Sequence, residues 1–179
     1  NCNIALGTFS SACPPANDDF ANAIAIACGD TIFGDTSSAT LDENDAPDGP
    51  GSADTDSPNV WYSLIGTGQT IDLDTCLDGT DYDSEIMVYT GTSGNLTWVS
   101  EGYDECDGTN SDFLAQANFV AEAGVQYWIS VEGWNVGNTG TFEMSVTCTG
   151  DASYVYLDGW LNGNDPNGSP SSSDIVIAS

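Results

Sequence analysis

Short runs of alternating apolar and polar residues follow one another from residue 59 onward, which is the pattern of half-buried β-strands. In the run that ends at Cys148, Phe142, Met144 and Val146 form an apolar face, and the residues between them are polar. Gly, Asn and Asp residues separate the runs and mark turns. The predicted strands are Val60–Ile65, Thr70–Thr75, Glu85–Tyr89, Leu96–Ser100, Phe113–Val120, Gln126–Glu132 and Thr141–Cys148. Their spacing of about 8 to 12 residues predicts an all-β fold, an antiparallel β-sandwich of two sheets.

The other segments predict one sandwich domain between two short extensions. We assign residues 1–13 to an N-terminal extension, 14–148 to the β-sandwich and 149–179 to a C-terminal extension. Within the sandwich, the Ala-rich segment Asp18–Ala27 is the part that favours a helical turn. The segment Leu41–Pro58 is rich in Asp, Gly and Pro, so it predicts a surface loop.

The charge of the chain excludes several classes of function. It contains no Lys, Arg or His and 28 Asp and Glu residues, so its formal net charge is -28. A Ser-His-Asp triad and a His-ligated zinc therefore cannot form, and a nucleic-acid surface lacks its cations. A glycosidase that uses two carboxylates remains an alternative, but no motif indicates one. With 40% hydrophobic residues the chain can build a core, and we predict that it is not an enzyme.

Six cysteines indicate an oxidising compartment. Their number is even and none forms a CxxC pair, so disulfides are favoured over a metal site. Disulfides persist outside the cell. The sequence has no apolar stretch long enough to span a membrane, and it begins with Asn1 rather than Met. We therefore expect a processed product that is extracellular or held at the cell surface.

An ordered set of short motifs resembles a known family. The strings are PANDDFANAIAIACGDTIFGDT, NVWYSLIGTG, IDLDTC, DYDSEIMVYTG, YDECDG and GVQYWISVEGWNVGNTGTFEMSVTC. They cover about Pro14 to Cys148 and resemble the bacterial pre-peptidase C-terminal (PPC-like) domain of secreted Bacteroidetes proteins. The resemblance implies a secreted, jelly-roll-like β-sandwich that serves as an accessory domain without catalysis. Some relatives bind calcium or polymeric ligands such as collagen.

The resemblance also implies one disulfide, between Cys76 and Cys106, since both follow family cysteines at neighbouring loop ends. The chain departs from the family at Phe20, where members often carry Cys. For the remaining four cysteines, three connectivities stay open. These four are Cys2, Cys13, Cys28 and Cys148.

Acidic residues at the start of a predicted strand suggest a cation site. Asp81, Asp83 and Glu85 alternate, so their side chains can point the same way, and Asp83 and Asp104 match acidic positions of the family. Carboxylates are the ligands that Ca²⁺ prefers, so Asp81, Asp83 and Asp104 form a candidate calcium site. Alternatively, Asp83 and Asp104 cap turns by accepting backbone N–H bonds. The acidic segment Leu41–Pro58 does not match EF-hand spacing.

Apolar residues in both extensions suggest contacts between subunits. A sandwich with exposed edges can accept a strand from a neighbour, and donation that closes no ring produces a filament. The alternative is that each extension adds a strand to its own sandwich. The candidate contact residues are Ile4, Leu6, Phe9, Tyr154, Tyr156, Trp160, Ile175, Val176 and Ile177.

These observations predict the structural subunit of an extracellular filament or surface assembly, with copies of itself as partners. The alternative is a secreted calcium- or glycan-binding module released from a larger precursor, with polysaccharide or another surface ligand as partner. Calcium is the one cofactor that the sequence suggests. Three positions match glycosylation motifs, namely Thr31, Asn95 and Asn167.

Overall fold

The computed structural model describes residues 13–44, 46–51, 53, 55–106 and 113–150. Within them the regular secondary structure is almost entirely β-strand, and this confirms the predicted fold class. The strands are β1 Ile24–Ala25, β2 Thr31–Asp35, β3 Val60–Ile65, β4 Thr70–Asp74, β5 Ser84–Thr92, β6 Asn95–Gly102, β7 Gln116–Val120, β8 Gln126–Gly133 and β9 Thr141–Thr149. All seven predicted strands are present, with ends displaced by up to three residues, because the alternating pattern matched the true period of the backbone.

The strands form two sheets with the connectivity of a jelly roll. The larger sheet has the order β1-β3-β8-β5-β6, and the smaller sheet has the order β2-β9-β4-β7. From β2 onward the chain changes sheet at each step except at the β5–β6 hairpin, as expected of a jelly roll. One pair departs from the predicted antiparallel arrangement, because β1 runs parallel to β3.

The first two strands were not predicted. The segment Asp18–Ala27, which favoured a helical turn, contains a 3-10 turn at Phe20–Asn22 and then β1. The tertiary structure overrides the Ala-rich propensity there, because Ile26 is buried in the core and its N–H donates to Ser63 O at 2.9 Å. Strand β2 was not predicted from the sequence because its apolar side chains do not alternate. In addition, one of its positions is Gly34, which lies against the Phe142 ring.

The main core lies between the sheets and follows the predicted alternation. On β9, Phe142, Met144 and Val146 are at most 1% exposed. They meet Tyr62 and Ile129 of the larger sheet. Each buried apolar side chain of this size contributes about 1.5–3 kcal/mol relative to an exposed one, so this interface supplies most of the hydrophobic stabilisation.

A second apolar cluster covers the outer face of the larger sheet. Trp61, Met87 and Tyr89 are fully buried there, and the ring of Phe20 lies 5.1 Å from that of Trp61. The cover is the acidic segment that was predicted to be a surface loop, so that prediction was wrong in part. Its residues Ala53, Thr55 and Ser57 are buried, together with Asn59 just after it. The segment is held down because its backbone and side chains hydrogen-bond to the sheet.

Two disulfides close the described fold. Cys28 is bonded to Cys148, and Cys76 is bonded to Cys106, the pair that the family resemblance implied. Cys13 is also disulfide-bonded. Cys2 lies outside the described residues. No helix in the described part of the chain is long and apolar enough to cross a membrane.

Candidate functional site

Two glutamates face each other in the buried interior of the covered face. Glu85 on β5 and Glu132 on β8 are directly opposite in the antiparallel ladder. Their exposed fractions are 1% and 0%. Side chains in such a pair have Cβ atoms about 5 Å apart. The sequence had grouped Glu85 with Asp81 and Asp83, but the structure buries Glu85 beside Glu132 instead.

Hydrogen bonds tie Glu132 to the covering segment. The Ser57 backbone N–H donates to Glu132 Oε2 at 3.4 Å, and the Ser130 hydroxyl donates to Glu132 Oε1 at 3.3 Å. Asn59 Nδ2 in turn donates to Ser130 Oγ at 2.9 Å. The Ser57 hydroxyl donates to the Asn135 carbonyl at 2.9 Å, which fixes the segment to the β8–β9 loop. Glu132 therefore helps to join the acidic cover to the sheet, as does the Tyr89 hydroxyl, which donates to the Pro47 carbonyl at 3.2 Å.

Burial and like charge favour the protonated form of Glu132. Desolvation raises the pKa of Glu132 well above its usual value, and the neighbouring Glu85 carboxylate and the Asp56 carboxylate raise it further. The hydrogen bonds from Ser57 and Ser130 oppose the rise but do not cancel it. Since the chain has no Lys, Arg or His, no cationic side chain can compensate these two buried carboxylates.

The burial of both carboxylates also bears on catalysis. A glycosidase needs two carboxylates that reach a sugar from opposite sides. Glu85 and Glu132 lie beneath Ser57 and the rest of the cover, so a sugar cannot approach them in this conformation.

Sequence reasoning did not identify this pair, although a signal for it exists. Glu85 alternates with Ile86 but shares its face with Met87 and Tyr89. On β8, Glu132 shares a face with Trp128. A face that combines glutamate with large apolar side chains is too apolar to be a solvated surface, so it predicts a cover.

The proposed calcium residues are brought together only in part. Asp83 is half-buried. Burial is the main cause that raises the pKa of its carboxyl, and the negative charge of Asp104 raises this pKa further. Asp81 is exposed, and its Oδ1 accepts the Thr141 N–H at 2.8 Å, which is a turn-capping bond. Within the described residues, one group of three possible metal-ligand side chains has its ligand atoms close together, namely Asp74, Cys76 and Cys106. The two cysteine sulfurs of this group form a disulfide.

Calcium binding by Asp81, Asp83 and Asp104 stays a prediction. We expect calcium to raise the Tm and Asp83→Asn to remove most of the rise, because the half-buried carboxylate would lose its charge. At a calcium concentration 100 times Kd, binding adds about 2.7 kcal/mol to the free energy of unfolding. Calorimetry in EDTA and in excess calcium measures the Tm of wild type and of Asp83→Asn. Asp78→Asn, at an exposed position, is the control, and equal Tm values in both buffers would contradict calcium binding at this site.

The other predicted positions are accessible or lie outside the described residues. Thr31 begins β2 and Asn95 begins β6, and both are exposed, so modification of either is sterically allowed. Asn167 lies in the part of the chain that is not described. The same holds for all nine candidate subunit contacts, which are Ile4, Leu6, Phe9, Tyr154, Tyr156, Trp160, Ile175, Val176 and Ile177.

One side of the sandwich has an open edge in the described structure. Strand β2 is the outermost strand of the smaller sheet, and β9 is its described neighbour. Val146 N donates to Asp30 O, and Thr36 N donates to Gly140 O. Bonded positions alternate along an antiparallel pair, so the backbone groups of Thr31, Phe33 and Asp35 point away from β9.

A groove of about 580 Å³ runs beside this edge. Ile24 of β1, Ile32 and Phe33 of β2 and Pro15 contribute its apolar lining. The Phe33 side chain is 75% exposed, although it is among the largest apolar side chains on the surface. An exposed edge strand with an apolar groove is a surface to which a further strand can bind.

The opposite side of the sandwich is closed. Strands β6 and β7 are the other two edges, and Ser100 Oγ donates to the Asn118 carbonyl at 2.9 Å across them. Gly102 packs so tightly against the backbone of Gln116 that a Cβ atom would not fit. Within the described residues, the β2 edge is therefore the more accessible of the two edges of the smaller sheet.

The chain was compared with known proteins. Comparison with family models and with curated proteins gives no match. Among solved structures, the chain is similar to the pre-peptidase C-terminal domain of a collagenase from Bacillus anthracis, with 19% identity and a TM-score of 0.39 over 70% of this chain and 94% of that chain. That domain belongs to the family which the ordered motifs resemble.

Proposed function

We propose that this chain is a non-catalytic structural subunit of an extracellular filament or surface assembly, and that its terminal segments join one subunit to the next. The open β2 edge, with the exposed Phe33 beside an apolar groove, is the observation that carries the proposal. Long open edges favour pairing with another chain, and most proteins block them with charge or a cover. The disulfides suit an oxidising environment outside the cell.

The charge of the subunit makes assembly dependent on the solution. Each copy carries 28 carboxylates and no basic side chain, so neighbouring copies repel one another at low ionic strength. Salt at about 0.15 M screens exposed charges beyond about 8 Å. Filaments should therefore form in saline or divalent-cation buffer and dissociate after dialysis into low-salt buffer with EDTA.

Deletion of the terminal segments tests the proposal. We expect loss of filaments after deletion of Asn1–Ser11 and after deletion of Asp174–Ser179, because each removes an apolar segment that would bind a neighbour. Negative-stain microscopy and light scattering measure assembly. Replacement of Ser171–Ser173 by alanine is the control, since it changes the same extension without removing apolar residues. Unchanged filaments from both truncations would contradict assembly through the termini.

A second candidate function rests on a different surface. Trp134 and Val136, in the β8–β9 loop, are 56% and 70% exposed. An exposed aromatic residue such as Trp134 can bind a sugar ring, and Asp83 and Asp104 lie close enough to each other for their charges to interact. The alternative is therefore a secreted calcium- or glycan-binding accessory module. A monomeric elution profile together with binding to a polysaccharide array would favour it over the filament.

A further inference from the structure

An exposed tryptophan and an aspartate lie opposite each other at one end of the larger sheet. Ser84 pairs with Gly133 in the antiparallel ladder, and the Trp134 N–H donates to the Asp83 carbonyl at 3.1 Å, so the ladder continues by one more pair. Side chains that face each other in such a pair have Cβ atoms about 5 Å apart. The Trp134 side chain is 56% exposed, and Asp83 is half-buried. An indole ring and a carboxylate are therefore neighbours at the surface.

A second carboxylate lies close to this pair. Asp104 is exposed, and its negative charge adds to the burial that raises the pKa of the Asp83 carboxyl. A cation bound beside both carboxylates would relieve their repulsion. The face of a tryptophan ring also attracts cations, because the ring quadrupole places negative charge there. The ring and the two carboxylates therefore favour the same kind of ligand.

The cationic group has to come from a different molecule. The chain contains no Lys, Arg or His, so neither this protein nor a second copy of it has a basic side chain to offer. A second copy also carries the same 28 acidic side chains, and its approach is opposed by like charge. Charge complementarity therefore selects a basic partner for this surface.

Exposed apolar side chains beside the carboxylates indicate what kind of cation fits. Val136 follows Trp134 in the β8–β9 loop and is 70% exposed. Phe113 is 63% exposed, and its carbonyl accepts the N–H of Ser84, the residue after Asp83, at 3.1 Å. Such side chains can cover the aliphatic part of a long basic side chain. Arginine fits best, because its planar guanidinium stacks on aromatic rings and binds carboxylates through two parallel hydrogen bonds.

We propose that Trp134, Asp83 and Asp104 form a docking surface for an arginine-bearing segment of another protein. The guanidinium group stacks on the Trp134 ring and donates hydrogen bonds to the Asp83 carboxylate, while the charge of Asp104 adds to the attraction. The inference goes beyond the proposed function, because it assigns a partner of different chemistry to a surface that the filament proposal does not involve.

Binding of a short arginine peptide tests this surface. The probe is the peptide Gly-Arg-Gly-Arg-Gly with blocked ends and an uncharged fluorescent label, and its anisotropy is measured with the full chain. The buffer contains EDTA, which keeps calcium from the carboxylates, and salt at about 0.15 M, which screens charges beyond about 8 Å. We expect Trp134→Ala and Asp83→Asn each to weaken binding at least about fivefold, because the ring contact or the ion pair is lost.

Two matched variants and a neutral peptide are the controls. Ile65→Ala removes a 55% exposed apolar side chain at the opposite end of the larger sheet, where Ile65 pairs with Gln126. Glu122→Gln removes an exposed carboxylate in the turn before β8. We expect both variants to change the affinity by less than about twofold. A peptide with citrulline in place of arginine keeps the shape without the charge, and it should bind at least about fivefold more weakly. If Asp83→Asn does not fold, Asp104→Asn tests the carboxylates instead.

The outcomes distinguish an arginine partner from the other occupants. Equal weakening by Asp83→Asn and Glu122→Gln would reveal attraction to the overall charge and would overturn the site. Equal binding of the arginine and citrulline peptides would overturn the role of the cation. Chitosan oligomers, which carry amino groups, and uncharged glucan oligomers are measured in the same way. If either binds wild type more tightly than the arginine peptide and loses that affinity in Trp134→Ala, the surface binds glycans and the inference is overturned.

Discussion

Replacing Glu132 with glutamine should raise the free energy of unfolding by about 1–3 kcal/mol at pH 8 and change it little at pH 4. At pH 8 the folded wild type either retains a proton that the unfolded chain has released, or brings the charge of Glu132 to about 5 Å from that of Glu85. At an effective dielectric constant of about 20, two like charges at that distance repel by about 3 kcal/mol. The glutamine amide retains the shape of the protonated acid, so it can accept the Ser57 N–H and donate toward Glu85. A gain of about 2 kcal/mol raises the Tm by about 4–8 °C in a chain of this size.

The direction of the pH dependence follows from the raised pKa of Glu132. The unfolded chain releases this proton near 4.5, whereas the folded chain retains it to higher pH. The stability contributed by the protonated acid is therefore fully present below about 4.5 and is lost as the pH rises through the folded-state pKa. Wild type should lose stability over this window relative to Glu132→Gln, as measured by denaturant unfolding at several pH values.

The exposed residue Glu122 provides the control for this experiment. Glu122→Gln removes one carboxylate without touching the covered face, so it should change the free energy of unfolding by less than about 0.5 kcal/mol at either pH. A difference between Glu132→Gln and wild type that is the same at pH 4 and pH 8 would contradict a raised pKa of Glu132. It would show instead that the glutamine changes packing.

Removing the Cys28–Cys148 disulfide should cost about 4–5 kcal/mol, the largest loss that we expect from any change in the described fold. The bond joins residues 120 apart in sequence, and a longer closed loop restricts the unfolded chain more. Typical domains are stable by about 5–15 kcal/mol, so Cys28→Ser with Cys148→Ser should leave only a marginal fold. Denaturant unfolding of the double variant gives the free energy directly.

The second disulfide is the natural comparison. Cys76 and Cys106 are only 30 residues apart, so the same chain-entropy argument gives a loss of about 3.6 kcal/mol for Cys76→Ser with Cys106→Ser. We predict that loss of the Cys28–Cys148 bond lowers the free energy of unfolding more than loss of the Cys76–Cys106 bond. If the shorter loop costs more, then buried contacts around Cys106, which is 6% exposed, outweigh the entropy of the unfolded chain.

The sequence predicted the strands of the sandwich well because their signal is local. Alternation at Phe142, Met144 and Val146 requires only that one face of β9 be buried, and this is what the structure contains. Strands β1 and β2 lacked that signal. Ile24 and Phe33 are exposed apolar residues at sheet edges, where the burial that produces alternation is incomplete.

The candidate site was predictable only in part. The acidic segment was recognised as irregular, but its composition gave no indication that Ala53 and Ser57 would be buried. Its cover of the larger sheet depends on contacts with residues far along the chain, such as the bond from Ser57 to Glu132 across 75 positions. Sequence patterns within a short window cannot contain such a contact.

The sequence by itself determined the all-β class and the absence of cation-dependent chemistry, because alternation and composition are properties of the chain alone. It also determined that no side chain could neutralise a buried acid. The tertiary structure decided which acids are buried and which edge is open. Alternation identifies the two faces of a strand but not what lies against each, and that depends on distant segments. The Glu85–Glu132 pair and the β2 edge exist only once those segments have packed.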